Sequence, residues 1–418
     1  MCSQSHQRVS MVVLVSIFTG LPTQAQTIPT FTPVGDLPGR MDSSRALGIS
    51  RDGLVAVGQS SSSNGTEAFR WTAPGGISGL GDVANGAFAS VANDTSFDGS
   101  VIVGMGTNAV GPVAFMYSNG IMTQLGYFMG GGWASAASGV SGDGSIVVGS
   151  AEAADHDSMA FRWTNATGMV AIPRLPGKNS GQAEAISSDG STIVGVSGDL
   201  AFYWTSELGT VSLGLAAPWT SSRALGCSEH GETIVGYGVP TGQISEAFRW
   251  NSTSGFEKLL DLPGGDQKCL ANDVSADASI VVGQGSTDAV NQSDLGRRAV
   301  VWLAGSSEPV DLQQYLIDLG VQGLDGWILE AATAISADGT TIAGFGFSPQ
   351  MEGGWIVSGL HLLGCPADFN HDRYVNGNDY DAFASLFESG DIGADFNHDG
   401  YVNGNDYDAF ASSFENGC

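Results

Sequence analysis

Residues 137–149 read ASGVSGDGSIVVG, and after a polar loop residues 159–164 read MAFRWT. The Asp143-Gly144 pair is a turn signal that feeds the β-branched run Ile146-Val147-Val148-Gly149. In Ala160-Phe161-Arg162-Trp163 the two aromatic residues alternate onto one face. Short β-rich runs divided by Asp-Gly predict a hairpin followed by a third strand.

The stretch recurs along most of the chain. The glycine that ends the β-branched run returns at Gly58, Gly104, Gly149, Gly195, Gly236, Gly283 and Gly344, at intervals of 46, 45, 46, 41, 47 and 61 residues. The third-strand phrase returns as Ala68-Phe69-Arg70-Trp71, Ala114-Phe115-Met116-Tyr117, Ala201-Phe202-Tyr203-Trp204 and Ala247-Phe248-Arg249-Trp250. It degenerates to Ala299-Val300-Val301-Trp302 and Gly354-Trp355-Ile356-Val357. A fourth strand follows in several units, as in Leu80-Gly81-Asp82-Val83 and Leu260-Asp261-Leu262. Four short strands in about 46 residues make one propeller blade.

Val34-Gly35-Asp36-Leu37-Pro38-Gly39 is a fourth-strand phrase with no first three strands before it, and nothing as clear follows the seventh third strand. The N-terminal segment is therefore expected to complete the last blade, which removes exposed sheet edges. The predicted fold is all-β, a seven-bladed β-propeller of about 46-residue repeats, with an open β-solenoid as the rival. The repeats resemble those of the secreted HAF-repeat proteins, I-S-x-D-G-x-x-V-V-G followed by A-F-x-W, over roughly Phe31 to Leu363. That resemblance implies an extracellular repeat protein with no shared reaction.

The repeated carboxylates Asp52, Asp98, Asp143, Asp189 and Asp338 read as turns and not as ligands. The fifth unit has His230-Gly231 and the sixth Asp277-Ala278, and the hairpin phrase survives both changes. Asp bonds its own backbone and Gly tolerates positive φ. The turns between strands one and two and between three and four share one end of the blade and are short. The variable connections, 59–66, 150–159 and 284–298 among them, gather at the other end, the expected binding face. Asp155-His156-Asp157 lies there and reads as a solvated loop. Tyr127, Phe128, Trp133, Trp219 and Trp327 lie in or near connections of that end, either stacking on sugar faces or packing between blades. No catalytic residue is assigned.

The chain has 418 residues with 43 acidic and 15 basic side chains, a formal charge of -28. That balance argues against nucleic acid, which needs a basic footprint. Arg8, an apolar run from Met11 to Phe18 and the small-residue pattern Thr23-Gln24-Ala25 read as a signal peptide over residues 1–25. The apolar run is too short for a membrane span, which needs about 20 residues. Export makes disulfides plausible: Cys365 and Cys418 bracket the C-terminal segment and pair first, while Cys227 and Cys269 could bridge consecutive repeats. Sequence alone leaves three pairings open.

After the repeats of residues 26–364 the pattern changes. ADFNHDRYVNGNDYDAFASLFE is followed 27 residues later by ADFNHDGYVNGNDYDAFASSFE, and residues 365–418 carry 11 acidic groups and one basic. Oxygen donors fall at positions 1, 3, 5, 9 and 12 of two loops. They are Asp368, Asn370, Asp372, Asn376 and Asp379, then Asp395, Asn397, Asp399, Asn403 and Asp406, with the carbonyls of Tyr374 and Tyr401 at position 7. This is EF-hand spacing for calcium, a hard cation taking six to eight oxygens. Each loop runs into a helical pattern, Tyr380, Phe383, Ala384, Phe387 and Tyr407, Phe410, Ala411, Phe414, with Asp381 and Asp408 expected in the first turns. The aromatic stripes are expected to pack the two helices together.

Two loop-helix units of this kind resemble the type I dockerin. The resemblance implies two bound calcium ions, a cohesin-like partner and a place in polysaccharide-degrading assemblies. Arg373 stands where the second loop has Gly400, so the first site is expected to be weaker. The expected protein is secreted or held at the cell surface. It acts in extracellular adhesion or assembly through residues 365–418, with a cohesin-like protein, a cell-surface component or polysaccharide as partner. The alternative is a propeller-type glycoside hydrolase or lyase delivered to polysaccharide.

Overall fold

The computed structural model describes residues 24–25, 28–39, 43–241, 244–265, 269–287, 296–348, 351–362, 369, 374–375, 377–396 and 401–416. They form two compact units, Ile28–Leu362 and a second made of Met1–Thr27 with Leu363–Cys418.

The larger unit is a seven-bladed β-propeller, seven four-stranded antiparallel sheets. The third blade holds Ser135–Val140, Ile146–Glu152, Ser158–Thr164 and Gly168–Ala171, hydrogen-bonded in chain order. The seventh is composite. Ile328–Ile335, Ile342–Phe347 and Glu352–Ser358 are completed by the N-terminal Thr30–Pro33, whose Phe31 lies opposite Val357. The closing strand thus precedes the Val34–Gly39 phrase. That phrase is the exit from a fourth strand, as Asp82-Val83 follows Gly76–Gly81 in the first blade.

Closure is visible at the axis. Seven main-chain bonds join the turns between strands one and two around the propeller: Asp52 N to Phe97 O, Phe97 N to Gly142 O, Gly142 N to Ser188 O, Asp189 N to Glu229 O, Glu229 N to Ala276 O, Ala276 N to Ala337 O, and Ala337 N back to Arg51 O. They are 2.8–3.4 Å long. The return from the seventh blade to the first excludes an open solenoid.

The recurring glycine has a steric cause. Every first strand carries a β-bulge, at Ala137/Gly139 in the third blade. The bulge swings a carbonyl toward the facing glycine. A Cβ on Gly149 would overlap Ala136 O, and the same holds at Gly58, Gly104, Gly195, Gly236, Gly283 and Gly344. On the other side the glycine faces the phenylalanine of the third strand, Gly149 opposite Phe161. Phe69, Phe115, Phe161, Phe202 and Phe248 are fully buried there. In the sixth blade Val300 replaces the phenylalanine, and the ring of Trp302, fully buried, lies against Gly283 instead.

The Asp-Gly pairs are turns. In the third blade Asp143 Oδ1 accepts from Ser141 Oγ at 2.6 Å and from Ser145 N at 2.9 Å, and Gly144 has φ 72°. Ala278 holds the same left-handed position at φ 61°, which costs a non-glycine residue about 1 kcal/mol.

One helix departs from the repeat. Leu312–Asp318 follows the sixth blade, capped by Asp311, whose carboxylate accepts from Gln314 N at 3.0 Å. Leu312 and Leu316 are buried between the sixth and seventh blades, which accounts for the 61-residue interval.

Cys227 and Cys269 are not bridged; both are buried free thiols. Cys227 ends the first strand of the fifth blade, Trp219–Cys227, whereas Cys269 precedes that of the sixth, Leu270–Val274, so about five residues, some 17 Å, separate them along the strands. A disulfide needs Cα atoms within about 7 Å. Cys269 fills a recurring staple. Ser90, Ser135 and Ser222 at the same repeat position accept from Ala68 N, Ala114 N and Ala201 N, and donate to Gly81 O, Gly126 O and Gly214 O. Cys269 accepts from Ala247 N and donates to Leu260 O at 3.9 Å. Cys227 takes a position that is Ile, Val or Thr in the other first strands and packs as a small apolar group. Burial pushes both thiols up to about 12, so neither is a reactive thiolate. Cys269→Ser is expected to keep stability within about 1 kcal/mol, while Cys269→Val loses about 1–3 kcal/mol by stranding the Ala247 amide. Paired urea titrations check this. Cys365 and Cys418 lie outside the described residues.

In the smaller unit two helices, Gly377–Ser389 and Gly404–Asn416, flank a short 3₁₀ turn, Ile392–Ala394. Gln24–Ala25 pairs with Tyr374–Val375. Phe383 and Phe410 are fully buried and stacked, with centroids 4.1 Å apart and planes 9° from parallel. Phe369 and Phe396 each meet both rings edge-on, and the Tyr380 and Tyr407 hydroxyls are 3.1 Å apart. Each pair is separated by the 27-residue repeat, so the core is an approximate two-fold and the stripes do pack helix on helix. The helices start one turn earlier than expected, which puts Asp379 and Asp406, not Asp381 and Asp408, in the first turns. No helix among the described residues is long and apolar enough to cross a membrane.

Candidate functional site

The variable connections of the propeller gather at one end, as the strand order requires. The loop between the second and third strands of each early blade rests on the connection entering the next blade. Ser62 donates to Gly65 O, and Gly65 lies against Phe88 O; Gly111 lies against Trp133 O. In the third blade Asp155 receives a two-pronged contact from Arg174, Nη1 to Oδ2 at 2.6 Å and Nη2 to Oδ1 at 3.1 Å. Arg174 thereby holds the Asp155 carboxyl down to about 2. His156, at φ 65°, turns its Nδ1 to Glu152 Oε1 at 2.9 Å. Asp155-His156-Asp157 is thus a loop clamp.

The five aromatic candidates separate. Trp219 and Trp327 are core residues. Trp219 packs on Phe248 and Phe256 and donates to Glu246 Oε2 at 2.5 Å, and Trp327 meets Phe31 edge-on at 5.2 Å. Tyr127 and Phe128 are half-buried against the second- and third-blade cores. Trp133 is 66% exposed, and its backbone amide donates to Glu152 Oε2.

A cavity of about 340 Å³ opens at this end between the fourth and fifth blades. Arg223 forms part of its lining and is held by Glu184 and by Gln182 Oε1 at 2.6 Å. Asp199 is also part of the lining and is paired with Lys178.

A second group lies on the axis near the ring of turns. The bulge position is small in five blades but Asp94 in the second and Asp273 in the sixth. Asp94 accepts from Thr95 N at 2.7 Å and Val140 N at 2.9 Å; Asp273 accepts from Val274 N at 2.8 Å and Ile335 N at 3.0 Å. Each carboxylate therefore ties its blade to the next. Burial pushes Asp94 up to about 7 and Asp273 upward, opposed by these amides and by Arg51. A carboxyl raised on folding contributes stability that is complete below its unfolded value, about 4, and is lost as pH climbs through about 7. The turn carboxylates Asp98, Asp143, Asp189, Asp277 and Asp338 are lowered and act oppositely, losing their contribution in acid. The propeller is expected to be most stable at mildly acid pH, and Asp94→Asn to flatten the decline toward pH 7. Melting temperatures from pH 3 to 8 measure both.

In the smaller unit Asp368, Asn370, Asp372, Asn376, Asn397 and Asp399 lie outside the described residues. Tyr374 is in the short strand; Asp395 and Tyr401 flank the second loop. Asp379 and Asp406 are completely buried at the starts of their helices, and Asp406 Oδ2 accepts from Asn403 N at 2.7 Å. Two buried carboxylates in a small unit, each ending a loop rich in Asp and Asn with one histidine, His371 or His398, have the chemistry of hard-cation ligands.

No protein family and no curated relative matches this sequence. Solved structures share the fold. An oligogalacturonate lyase from Vibrio parahaemolyticus is 10% identical, with TM-score 0.52, over 79% of this chain and 97% of that one. An oligogalacturonate lyase in complex with manganese is 11% identical, with TM-score 0.50, over 81% and 94%. The TolB of Acinetobacter baumannii is 12% identical, with TM-score 0.43, and the alignment covers 62% of this chain and 63% of that one. The two lyases share the propeller architecture with this chain. At these identities the likeness extends to the fold alone.

Sequence reasoning missed Asp94, Asp273 and the cavity. An Asn-Asp pair in two of seven equivalent strands, and the 41-residue interval before Gly236, were the available signals.

Proposed function

We propose that this is an exported protein of HAF-like repeats whose C-terminal residues 365–418 form a dockerin-like, calcium-organised module, acting in extracellular adhesion or assembly. The observation that carries the reading is the pair of twelve-residue oxygen-donor loops, whose last residues, Asp379 and Asp406, are buried carboxylates in helix first turns. Asp368, Asn370, Asp372, Asn376, Asp379 and the Tyr374 carbonyl would hold one calcium, and Asp395, Asn397, Asp399, Asn403, Asp406 and the Tyr401 carbonyl the other. The ion supplies cross-linking of each loop onto its helix. The partner would be a cohesin-like protein or a cell-surface component, and residues 1–25 would direct export.

Three carboxylates at the variable end of the propeller are poorly suited to acid catalysis. Asp155, Asp199 and Glu246 pair with Arg174, Lys178 and Lys258, and each is held below its usual range, whereas a general acid needs a raised value. The test is retention of the full chain on the surface fraction of producing cells. Calcium-dependent retention, lost in Asp379→Ala/Asp406→Ala, supports the proposal. Retention unaffected by chelator contradicts it, and release of unsaturated or reducing-end sugar from polysaccharide establishes the lyase or hydrolase reading instead.

A further inference from the structure

The cavity between the fourth and fifth blades exists because one loop is short. The connection between the second and third strands spans four or more residues in the other blades, but in the fourth only Gly198-Asp199 separate Thr192–Ser197 from Leu200–Thr205. Next to it the fifth blade is tall, with strands of nine and eight residues, Trp219–Cys227 and Thr233–Pro240. Where the first three loops lie over the entry to the next blade, the fourth meets it only through the carbonyl of Asp199, which accepts from Ser222 N at 2.9 Å. The floor of the resulting step is the start of the fifth blade's first strand, Ser221 to Arg223.

We propose that this step is a binding site for a neutral saccharide of one or two rings. The volume of about 340 Å³ lies at the small end of the range for ligand sites. Its walls hold the hydroxyls of Ser180 and Ser221, with Gln182 and Tyr237 both bonded to Arg223, and no hydrogen bond engages the Ser221 hydroxyl among the described residues. Of its lining residues Arg223 and Asp199 are charged, paired with Glu184 and Lys178 respectively, so one charged donor and one charged acceptor are present with no net charge. Arrays of paired donors and acceptors suit vicinal hydroxyls, which donate and accept at once. An apolar ligand would strand these groups, and a polyanion would approach a chain of charge -28 against repulsion. The site does not depend on the calcium module.

The experiment titrates the full mature chain with glucose, galactose, mannose and cellobiose, and with galacturonic acid as the charged comparison, by saturation-transfer NMR and calorimetry. Two variants close the step: Ser221→Leu, and replacement of Gly198-Asp199 by the third blade's loop sequence, residues 153–157. A neutral sugar should bind the wild type and bind both variants at least about tenfold more weakly, with the thermal transition of Ser221→Leu unchanged. Should the loop graft fail to fold, Ser221→Leu alone decides. Absence of binding by any neutral sugar, equal or tighter binding of galacturonic acid, or full affinity in the folded variants overturns the assignment.

Discussion

Gly149→Ala is expected to abolish the folded propeller at ordinary temperatures, although it adds a single methyl group. The methyl would overlap the carbonyl oxygen of Ala136 and lie within 3 Å of Ala137 Cα. Both are backbone atoms held by the bulge, so relief requires moving the strand that lines the axis. That strand also joins the ring of turns through Gly142, so the strain reaches two neighbouring blades. A cost above about 4 kcal/mol is expected, the exceptional class for a point change. Gly168→Ala is the comparison: φ is 63° there but no atom lies within 4 Å of the added carbon, so only about 1 kcal/mol should be lost. Chemical denaturation of the two variants separates close packing from backbone strain.

Phe410→Ala should unfold the smaller unit while leaving the propeller intact. Phe383, Ala394 and Phe410 are its only fully buried apolar side chains among the described residues. Phe410 alone contacts Phe369, Tyr380, Phe383, Phe396 and Phe414. Truncating a buried phenylalanine costs about 3–5 kcal/mol, comparable to the whole stability of so small a core. Loss of the helical signal in circular dichroism, with the main thermal transition unchanged, is the expected result.

Much of the propeller was legible because its signals are local and repeated. Asp143-Gly144 gives a turn whatever surrounds it, and seven spaced copies leave few architectures that close. The closing strand was found for the same reason, though three to four residues early in the chain from its marker, since Val34-Gly35-Asp36-Leu37 marks an exit. Long-range features stayed hidden. Trp219 and Trp327 sit in connections by sequence and yet are core, because a fifth-blade pocket of phenylalanines and the Phe31 ring come from distant segments. Asp94 follows Asn93 in a β-run with no local mark of its role, and only the bulge turns it toward the Val140 amide of the next blade. The cavity follows from a missing loop, and an absence gains meaning only beside the neighbours that have one. In the smaller unit the donor spacing and the aromatic stripes were plain in sequence, and the helix start shifted because Gly377 and Gly404 already belong to the helices.

The most direct test of the account is a calcium titration of the full mature chain by calorimetry, with circular dichroism in calcium and in EGTA. Two calcium ions per chain should bind, the first loop more weakly than the second, and Arg373→Gly should bring the two toward parity. Chelation should remove the helical signal of residues 377–416 without moving the propeller transition. A chain that binds no calcium, or whose helices are indifferent to EGTA, would contradict the calcium-organised module and the assembly role built on it.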